Sequence, residues 1–190
     1  MTFQTVGVVG VGQMGSGIVE VFTRAGCEVV AREINDELLE RGKAYLQRSF
    51  ARGVERGKIA QADAEAALGR ISFTTQLADF AHCDLVIEAA TENMALKKTL
   101  FTELDVICRP EAILASNTSS LSITEIASAT QRPDKVVGLH FFNPVPVMPL
   151  IEIVRGLLTS DETLDAVRTL GVVLKKELVI AKDNPGFIVN

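Results

Sequence analysis

Three glycines near the start of the chain have the spacing of a phosphate-binding turn. Gly10, Gly12 and Gly15 form the pattern Gly-x-Gly-x-x-Gly directly after an apolar run, with Gln13 and Met14 between the last two glycines. In such a turn the first glycine allows the tight bend, the second allows close approach of a pyrophosphate, and the third lets the following helix pack closely. The backbone amides and the dipole at the start of that helix attract anions. The pattern therefore predicts a dinucleotide-binding site.

A carboxylate further along the chain strengthens this prediction. Glu33 ends the second apolar run, at about the 20-residue interval where a dinucleotide-binding unit carries an acidic residue for the ribose. A carboxylate there holds the adenosine ribose hydroxyls and repels a 2′-phosphate, so it favours NAD over NADP. The neighbouring Arg32 leaves the choice between the two dinucleotides open, because an arginine can accommodate the 2′-phosphate.

A histidine and a glutamate supply the residue types of an acid–base pair. Of the two histidines, His82 precedes a strand and is interpreted as an exposed loop residue, whereas His140 ends a strand at the edge where open α/β sheets bind ligands. Glu152 falls on the returning strand, so a hairpin pairing would bring its carboxylate to the imidazole. Imidazole accepts a proton near neutral pH, and the carboxylate stabilises the cation that results. Without a nucleotide site beside it, such a pair is more often structural.

The elements that must position these residues alternate along the chain. Continuous apolar runs predict strands at Thr5–Val9, Glu28–Arg32, Ile71–Phe73, Leu85–Glu88, Ile113–Ser116, Val136–Phe141, Leu150–Val154 and Glu177–Ile180. Helical patterns predict helices at Met14–Ala25, Glu37–Arg52, Ala95–Cys108, Ile123–Ala129 and Asp161–Leu174. This succession predicts an α/β fold, a Rossmann-like doubly wound sheet that is mainly parallel, with helices on both faces.

The segment 35–70 is too long for one crossover helix. We predict an inserted helical hairpin that projects from the sheet and is divided at Gly53 and Gly57. The hairpin carries a basic set at helical spacings, formed by Arg41, Lys43, Arg48, Arg52, Arg56 and Lys58. This set fits two interpretations, a docking surface for a phosphate-rich ligand or a solvated face.

Composition limits the classes of function. The 190 residues carry a net charge of -5, so no basic field for nucleic acid or an anionic membrane is predicted. Apolar runs are shorter than the ~20 residues of a membrane span, and no leader peptide is expected. Three widely spaced cysteines indicate reduced thiols in a cytoplasmic protein, with no metal site.

Five stretches together carry a family resemblance. They are Gly10–Gly15, Val86–Asn93, Ser116–Ser120, His140–Met148 and Asp183–Asn190. In this order and spacing they resemble the short-chain L-3-hydroxyacyl-CoA dehydrogenase family, which includes bacterial 3-hydroxybutyryl-CoA dehydrogenases. The resemblance implies reversible oxidation of an L-3-hydroxyacyl-CoA by NAD, a reaction of fatty acid metabolism and β-oxidation.

The resemblance also implies roles for individual residues. His140 is similar to the general base of the family and Glu152 to its carboxylate partner. Ser119 matches the serine that binds the substrate oxygen, and Asn190 the asparagine that helps to orient the substrate. Positions near the ribose and nicotinamide are matched by Glu92, Lys97, Asn117 and Asn143. The basic hairpin would then face the phosphates of CoA, with Arg41 and Lys43 as the chosen contacts.

Two departures from the family pattern affect these expectations. Pro149 stands where the family usually has a lysine. Residues 1–190 also correspond to a dinucleotide-binding domain alone, and the family's C-terminal helical domain, through which its members form homodimers, is expected to be absent. Two alternative functions stay open: an NAD-binding module without turnover, and a related dehydrogenase of a sugar acid such as gulonate.

Overall fold

One sheet of eight strands organises the chain. The computed structural model describes residues 3–184. The strands are β1 (Thr5–Val9), β2 (Glu28–Arg32), β3 (Ile71–Thr74), β4 (Leu85–Glu88), β5 (Ile113–Ser116), β6 (Val136–Phe141), β7 (Leu150–Arg155) and β8 (Glu177–Lys182). The helices are α1 (Gln13–Arg24), α2 (Asp36–Glu55), α3 (Gln61–Gly69), α4 (Met94–Ile107), α5 (Ile123–Ala127) and α6 (Asp161–Val173). Every predicted strand and helix is present, with shifts of a few residues at the ends.

The strand order confirms the predicted doubly wound fold. Across the sheet the order is β3-β2-β1-β4-β5-β6-β7-β8, and all neighbours are parallel except the antiparallel pair β6 and β7. The chain winds outward from β1 in one direction and from β4 in the other. A crevice therefore opens at the carboxyl ends of β1 and β4, which is where open α/β sheets bind ligands.

Two apolar layers hold the helices to the sheet. One layer packs α1, α2, α3 and α6 on one face, and the other packs α4 and α5 on the opposite face. The central strands β4, β5 and β6 are buried along their whole lengths, as expected of strands covered on both faces. Among residues 3–184, no helix combines the length and apolarity needed to cross a membrane.

The hairpin of α2 and α3 differs from the prediction in two respects. Helix α2 continues through Gly53, and only Gly57, with a φ of 65°, lies in the turn that separates the helices. The hairpin also does not project, because Leu46 and Phe50 of α2 are buried in the layer that contains α1. A glycine inside a helix, such as Gly53, destabilises the helix by only about 1 kcal/mol relative to alanine. The burial of Leu46 and Phe50 offsets this cost.

Candidate functional site

The glycine turn is fixed by contacts within its own backbone. Gly10 has a φ of 90°, and a Cβ on Gly15 would lie 1.7 Å from the carbonyl oxygen of Gly10. Side chains at these two positions would therefore disrupt the turn itself. A Cβ on Gly12, by contrast, would meet no atom within 4 Å. The open space above Gly12 is the feature that admits a ligand close to the backbone.

The start of α1 presents backbone amides to this space. Gly12 is the N-cap, and no side chain among the described residues caps the helix. Ser16 stabilises the turn from within, since its hydroxyl donates to the carbonyl of Val11 at 2.8 Å. The uncapped backbone amides at the start of α1 and the open space at Gly12 fit the pyrophosphate of a dinucleotide.

Glu33 is held across the same turn. Its Oε1 accepts a hydrogen bond from the backbone of Val11 at 2.6 Å, and its Oε2 accepts one from Ile34 at 3.1 Å. The carboxylate lines a cavity of about 580 Å³, together with Gly12 and Arg41. The structure thus brings Glu33 to the glycine turn, at the position predicted for a ribose contact.

His140 and Glu152 meet on the antiparallel pair of strands. They face each other in the register of β6 and β7, and the Nδ1 of His140 lies 2.8 Å from the Oε2 of Glu152. Glu152 is fully buried and His140 is 7% exposed. The ring of Phe142 packs 4.5 Å from the imidazole, centroid to centroid. The predicted pairing of the two side chains is confirmed.

A cavity of about 310 Å³ opens over His140. Its lining includes several predicted site residues, namely Met14, Glu92, Asn117, Ser119, His140 and Asn143. Asn117 accepts a hydrogen bond from the backbone of Phe141 at 2.9 Å, and Asn143 accepts one from Gln13 at 3.3 Å. These bonds join the ends of β5 and β6 and the start of α1 around one cavity.

Glu92 organises the loop that carries Ser119. It accepts hydrogen bonds from the Thr118 hydroxyl at 2.8 Å, from the Ser119 backbone at 2.7 Å and from the Ser119 hydroxyl at 3.2 Å. Burial alone would raise the pKa of Glu92, but these hydrogen bonds and the nearby Lys97 lower it below its usual value. Glu92 therefore stays ionised at the cavity.

Lys97 is buried beneath the surface of the cavity. The sequence did not predict this burial. Its side chain is 1% exposed and its Nζ lies 2.7 and 2.8 Å from the two oxygens of Glu88, at the end of β4. Ser116 and the backbone of Ala90 also donate to Glu88, at 2.7 and 2.6 Å. Lys97 reaches Glu92 only at 3.6 Å, so in this structure it supports the loop from behind. The prediction that it contacts the cofactor stays a prediction.

Glu88 is the site residue that sequence reasoning missed. A single acidic residue at the end of the apolar strand Leu85–Glu88 was a signal for it. A buried charge requires a partner, and Lys97 on the following helix provides one.

A third cavity, of about 530 Å³, lies beside the hairpin. Its basic lining comes from Arg24, Arg52, Arg56 and Lys58, and its opposite wall is the proline-rich turn 143–147. Neither Arg41 nor Lys43 lines this cavity. Arg41 lines the cavity with Glu33, and Lys43 pairs with Glu40 at 2.6 Å and lies over the ring of Phe73. The expectation that these two residues contact the phosphates of CoA therefore stays a prediction, and the basic residues that the hairpin contributes to this cavity come from further along it.

Comparison with known proteins identifies the family. Residues 5–184 match the model of the 3-hydroxyacyl-CoA dehydrogenase NAD-binding domain. The chain belongs to this family. NAD is therefore confirmed as the dinucleotide of the family, whereas the roles of the individual site residues stay predictions. Asn190 lies outside the described residues.

Relatives of this 3-hydroxyacyl-CoA dehydrogenase domain include a 3-hydroxybutyryl-CoA dehydrogenase from Mycobacterium tuberculosis. It is 49% identical over 191 residues, covering 98% of this chain and 66% of that protein. A probable 3-hydroxybutyryl-CoA dehydrogenase from Deinococcus radiodurans is 48% identical, covering 97% of this chain and 66% of that protein. The crystal structure of (S)-3-hydroxybutyryl-CoA dehydrogenase from Ralstonia eutropha superposes with a TM-score of 0.97 at 45% identity, over 100% of this chain and 67% of that one. The chain spans about two thirds of the length of these curated relatives.

Proposed function

We propose that this chain is the NAD-binding and proton-transferring part of an L-3-hydroxyacyl-CoA dehydrogenase. The observation that carries the proposal is the His140–Glu152 pair, with 2.8 Å between Nδ1 and Oε2, at the carboxyl edge of the sheet that also carries the glycine turn. The names of the relatives support 3-hydroxybutyryl-CoA as a substrate. The C-terminal helical domain and the homodimer of the family stay predictions for the whole protein.

This chain carries groups suited to each part of the dinucleotide. The amides that open α1 would hold the pyrophosphate, and Glu33 would hold the adenosine ribose. Glu92, Asn117 and Asn143 line the cavity that receives the nicotinamide end. When bound, NAD supplies the acceptor for the hydride removed from C3 of the substrate.

His140 acts as the general base of the reaction. Because Glu152 engages Nδ1, Nε2 is the nitrogen that takes the proton from the C3 hydroxyl. The buried carboxylate of Glu152 then stabilises the imidazolium and fixes the ring orientation. Ser119 lines the same cavity as His140, so its hydroxyl can hold the reacting oxygen during the transfer.

The basic cavity beside the hairpin is suited to the phosphates of CoA. Four cations line it, and Glu20, the acidic residue in the lining, is already paired with Arg24 and accepts a hydrogen bond from Ser49. Asn143 lines both this cavity and the one over His140. An acyl-CoA with its phosphates among the cations can therefore extend its acyl end towards the imidazole.

The substitution His140→Gln tests this proposal in the full-length protein. We expect kcat for 3-hydroxybutyryl-CoA to fall by about 10²–10⁴-fold, because the base is removed, while the dissociation constant for NAD changes little. Formation of NADH is followed by its absorbance, with His82→Gln, a change at an exposed position, as the matched control.

Three results would contradict the proposal. Near-normal turnover in the His140→Gln variant would remove His140 from the mechanism. NAD binding by the wild-type protein without any turnover would favour a simple binding module. A faster reaction with a CoA-free sugar acid such as gulonate would favour the other dehydrogenase class.

A further inference from the structure

The turn between β6 and β7 forms a wall of the basic cavity. Its residues Asn143 to Val147 line that cavity, and Asn143 also lines the cavity over His140. The turn packs against α1 through Val145, which is 2% exposed. A Cβ on Gly17 would lie only 2.7 Å from the Cβ of Val145. The position of this turn therefore determines how wide the basic cavity is and how it joins the cavity over His140.

Lys176, which lines neither cavity, is hydrogen-bonded to the turn. Its Nζ donates to the carbonyl oxygen of Val145 at 2.8 Å and also to the carbonyl oxygen of Met148. Within the turn, the amides of Val147 and Met148 both donate to the carbonyl of Pro144 at 2.9 Å. The ammonium of Lys176 thus connects two carbonyls of a turn that is also bonded internally.

A second bond joins the same two segments. The amide of Glu177, the residue after Lys176, donates to the carbonyl of Pro149 at 2.7 Å. The connection between α6 and β8 is therefore fastened to the turn on both sides of Met148. Lys176 is not among the residues that line either cavity, so its bonded connection to a ligand site runs through the turn.

The ammonium of Lys176 is partly withdrawn from water. Burial lowers its pKa, and the guanidinium of Arg24, which lines the basic cavity, lowers it further. A lysine held under these conditions needs its hydrogen bonds, because a desolvated charge without partners is costly. An apolar side chain of the same length would leave the two carbonyls without this donor.

We propose that Lys176 is a positioning residue that fixes the turn 143–148 and thereby sets the affinity for the acyl-CoA. The proposal rests on the proposed function for the identity of the ligand, whereas the fastening of the turn does not depend on it. Lys176 acts on the cavity wall and makes no contact with the reacting atoms.

The first test compares Lys176→Met with Lys176→Arg in the full-length protein. Lys176→Met should raise KM for 3-hydroxybutyryl-CoA by about tenfold, since small displacements of a positioning element weaken binding strongly. KM for NAD should rise less, because the groups proposed to hold the pyrophosphate and the adenosine ribose, at the glycine turn and Glu33, lie outside the turn 143–148. Lys176→Arg keeps a charged donor and should restore most of the affinity. Lys182→Met, at an exposed position of β8, is the matched control.

The second test needs no substrate. Amide hydrogen exchange at Val147 and Met148 should accelerate by about tenfold or more in Lys176→Met, while the amides of β1 keep their protection. If Lys176→Met does not fold, Lys176→Gln replaces it in this test. Glutamine keeps an N–H donor for one carbonyl, so exchange at Val147 and Met148 should be faster than in wild type but by less than about tenfold.

The outcomes separate this proposal from the proposed function. An active wild-type protein whose Lys176→Met variant keeps a normal KM and normal exchange at Val147 and Met148 would overturn the role of Lys176. A variant that merely melts at lower temperature, with an unchanged KM, would reduce Lys176 to a structural residue. A wild-type protein that does not oxidise the acyl-CoA would overturn the ligand assignment, and hydrogen exchange would then decide the fastening of the turn alone.

Discussion

Individual polar residues of the site are held by partners before any ligand binds. Glu152 fixes His140 at 2.8 Å, Ser119 and Thr118 fix Glu92, and the backbone of Val11 fixes Glu33 at 2.6 Å. Groups fixed in this way lose little further freedom when a ligand binds, and such preorganisation favours transition-state stabilisation. The orientation of each side chain is therefore as important for the chemistry as its residue type.

The role of Glu33 can be tested at this scale. Glu33→Ala should weaken NAD binding by about 10- to 100-fold, because the hydrogen bonds from the two adenosine ribose hydroxyls to the carboxylate are lost. Glu33→Gln keeps an acceptor for the amide of Val11 but removes the charge, so it should narrow the preference for NAD over NADP. Calorimetric titration with both dinucleotides measures these effects.

Glu55→Ala, at an exposed position near the end of α2, serves as the control for Glu33. An unchanged dissociation constant for NAD in Glu33→Ala would show that the carboxylate has a structural role in the turn only.

At the scale of elements, the site depends on strand ends that meet at one edge. The register aligns Val9 of β1 with Glu88 of β4, and Glu88 with Ser116 of β5. The antiparallel strand β7 then returns Glu152 to His140. A parallel strand in that place would require a crossover of a dozen or more residues, so the short proline-rich turn makes the acid–base pair possible.

Asp183 connects the end of β8 to the start of α5. Its carboxylate, directly after β8, accepts hydrogen bonds from the Thr124 amide at 2.7 Å, the Ile123 amide at 2.9 Å and the Ser122 hydroxyl at 2.8 Å. Burial by itself would raise the pKa of Asp183, but these bonds lower it below the usual value. The carboxylate thus caps the start of α5 in its ionised form.

The substitution Asp183→Asn should therefore have a pH-dependent effect on stability. A depressed pKa gives stability that is complete above the unfolded pKa of about 4 and is lost as pH falls through the folded pKa. At pH 7 the variant should be less stable by about 1 kcal/mol, the usual size of a helix-cap contribution, and the difference from wild type should shrink below pH 4. Urea unfolding at a series of pH values measures this.

Asp165→Asn, which alters an exposed ion pair on α6, is the control for Asp183. A difference between wild type and Asp183→Asn that is constant from pH 7 to pH 3 would contradict the role of the ionised carboxylate.

At the scale of the whole molecule, the sequence predicted the sheet better than the contacts that hold the site. Strands such as Leu85–Glu88 and Val136–Phe141 are predicted from the sequence because strands buried on both faces of a sheet are nearly continuous apolar runs. The pairing of Glu88 with Lys97 and the bonds of Lys176 to the turn depend on the three-dimensional approach of separate elements. Local periodicity carries no information about such contacts, and for the same reason it does not predict that the hairpin packs in the layer that contains α1.

The reactivity of the three cysteines can show whether the molecule unfolds as one cooperative unit. Cys27, Cys83 and Cys108 are all buried and unpaired by disulfides, and they belong to both apolar layers. Burial raises the pKa of Cys83 to about 12 and that of Cys108 to about 11, and it also raises that of Cys27. Since the thiolate is the nucleophile, the native thiols should be nearly inert to alkylation at pH 8.

Iodoacetamide labelling across a urea series tests this expectation. If the sheet unfolds as one cooperative unit, all three thiols should become reactive at the same urea concentration, because exposure then requires global opening. The labelling midpoint should coincide with the midpoint of the circular dichroism transition. Labelling of Cys27 well before Cys83 would instead mean that the layer containing α1 opens separately from the layer containing α4, and that the molecule is not one cooperative unit.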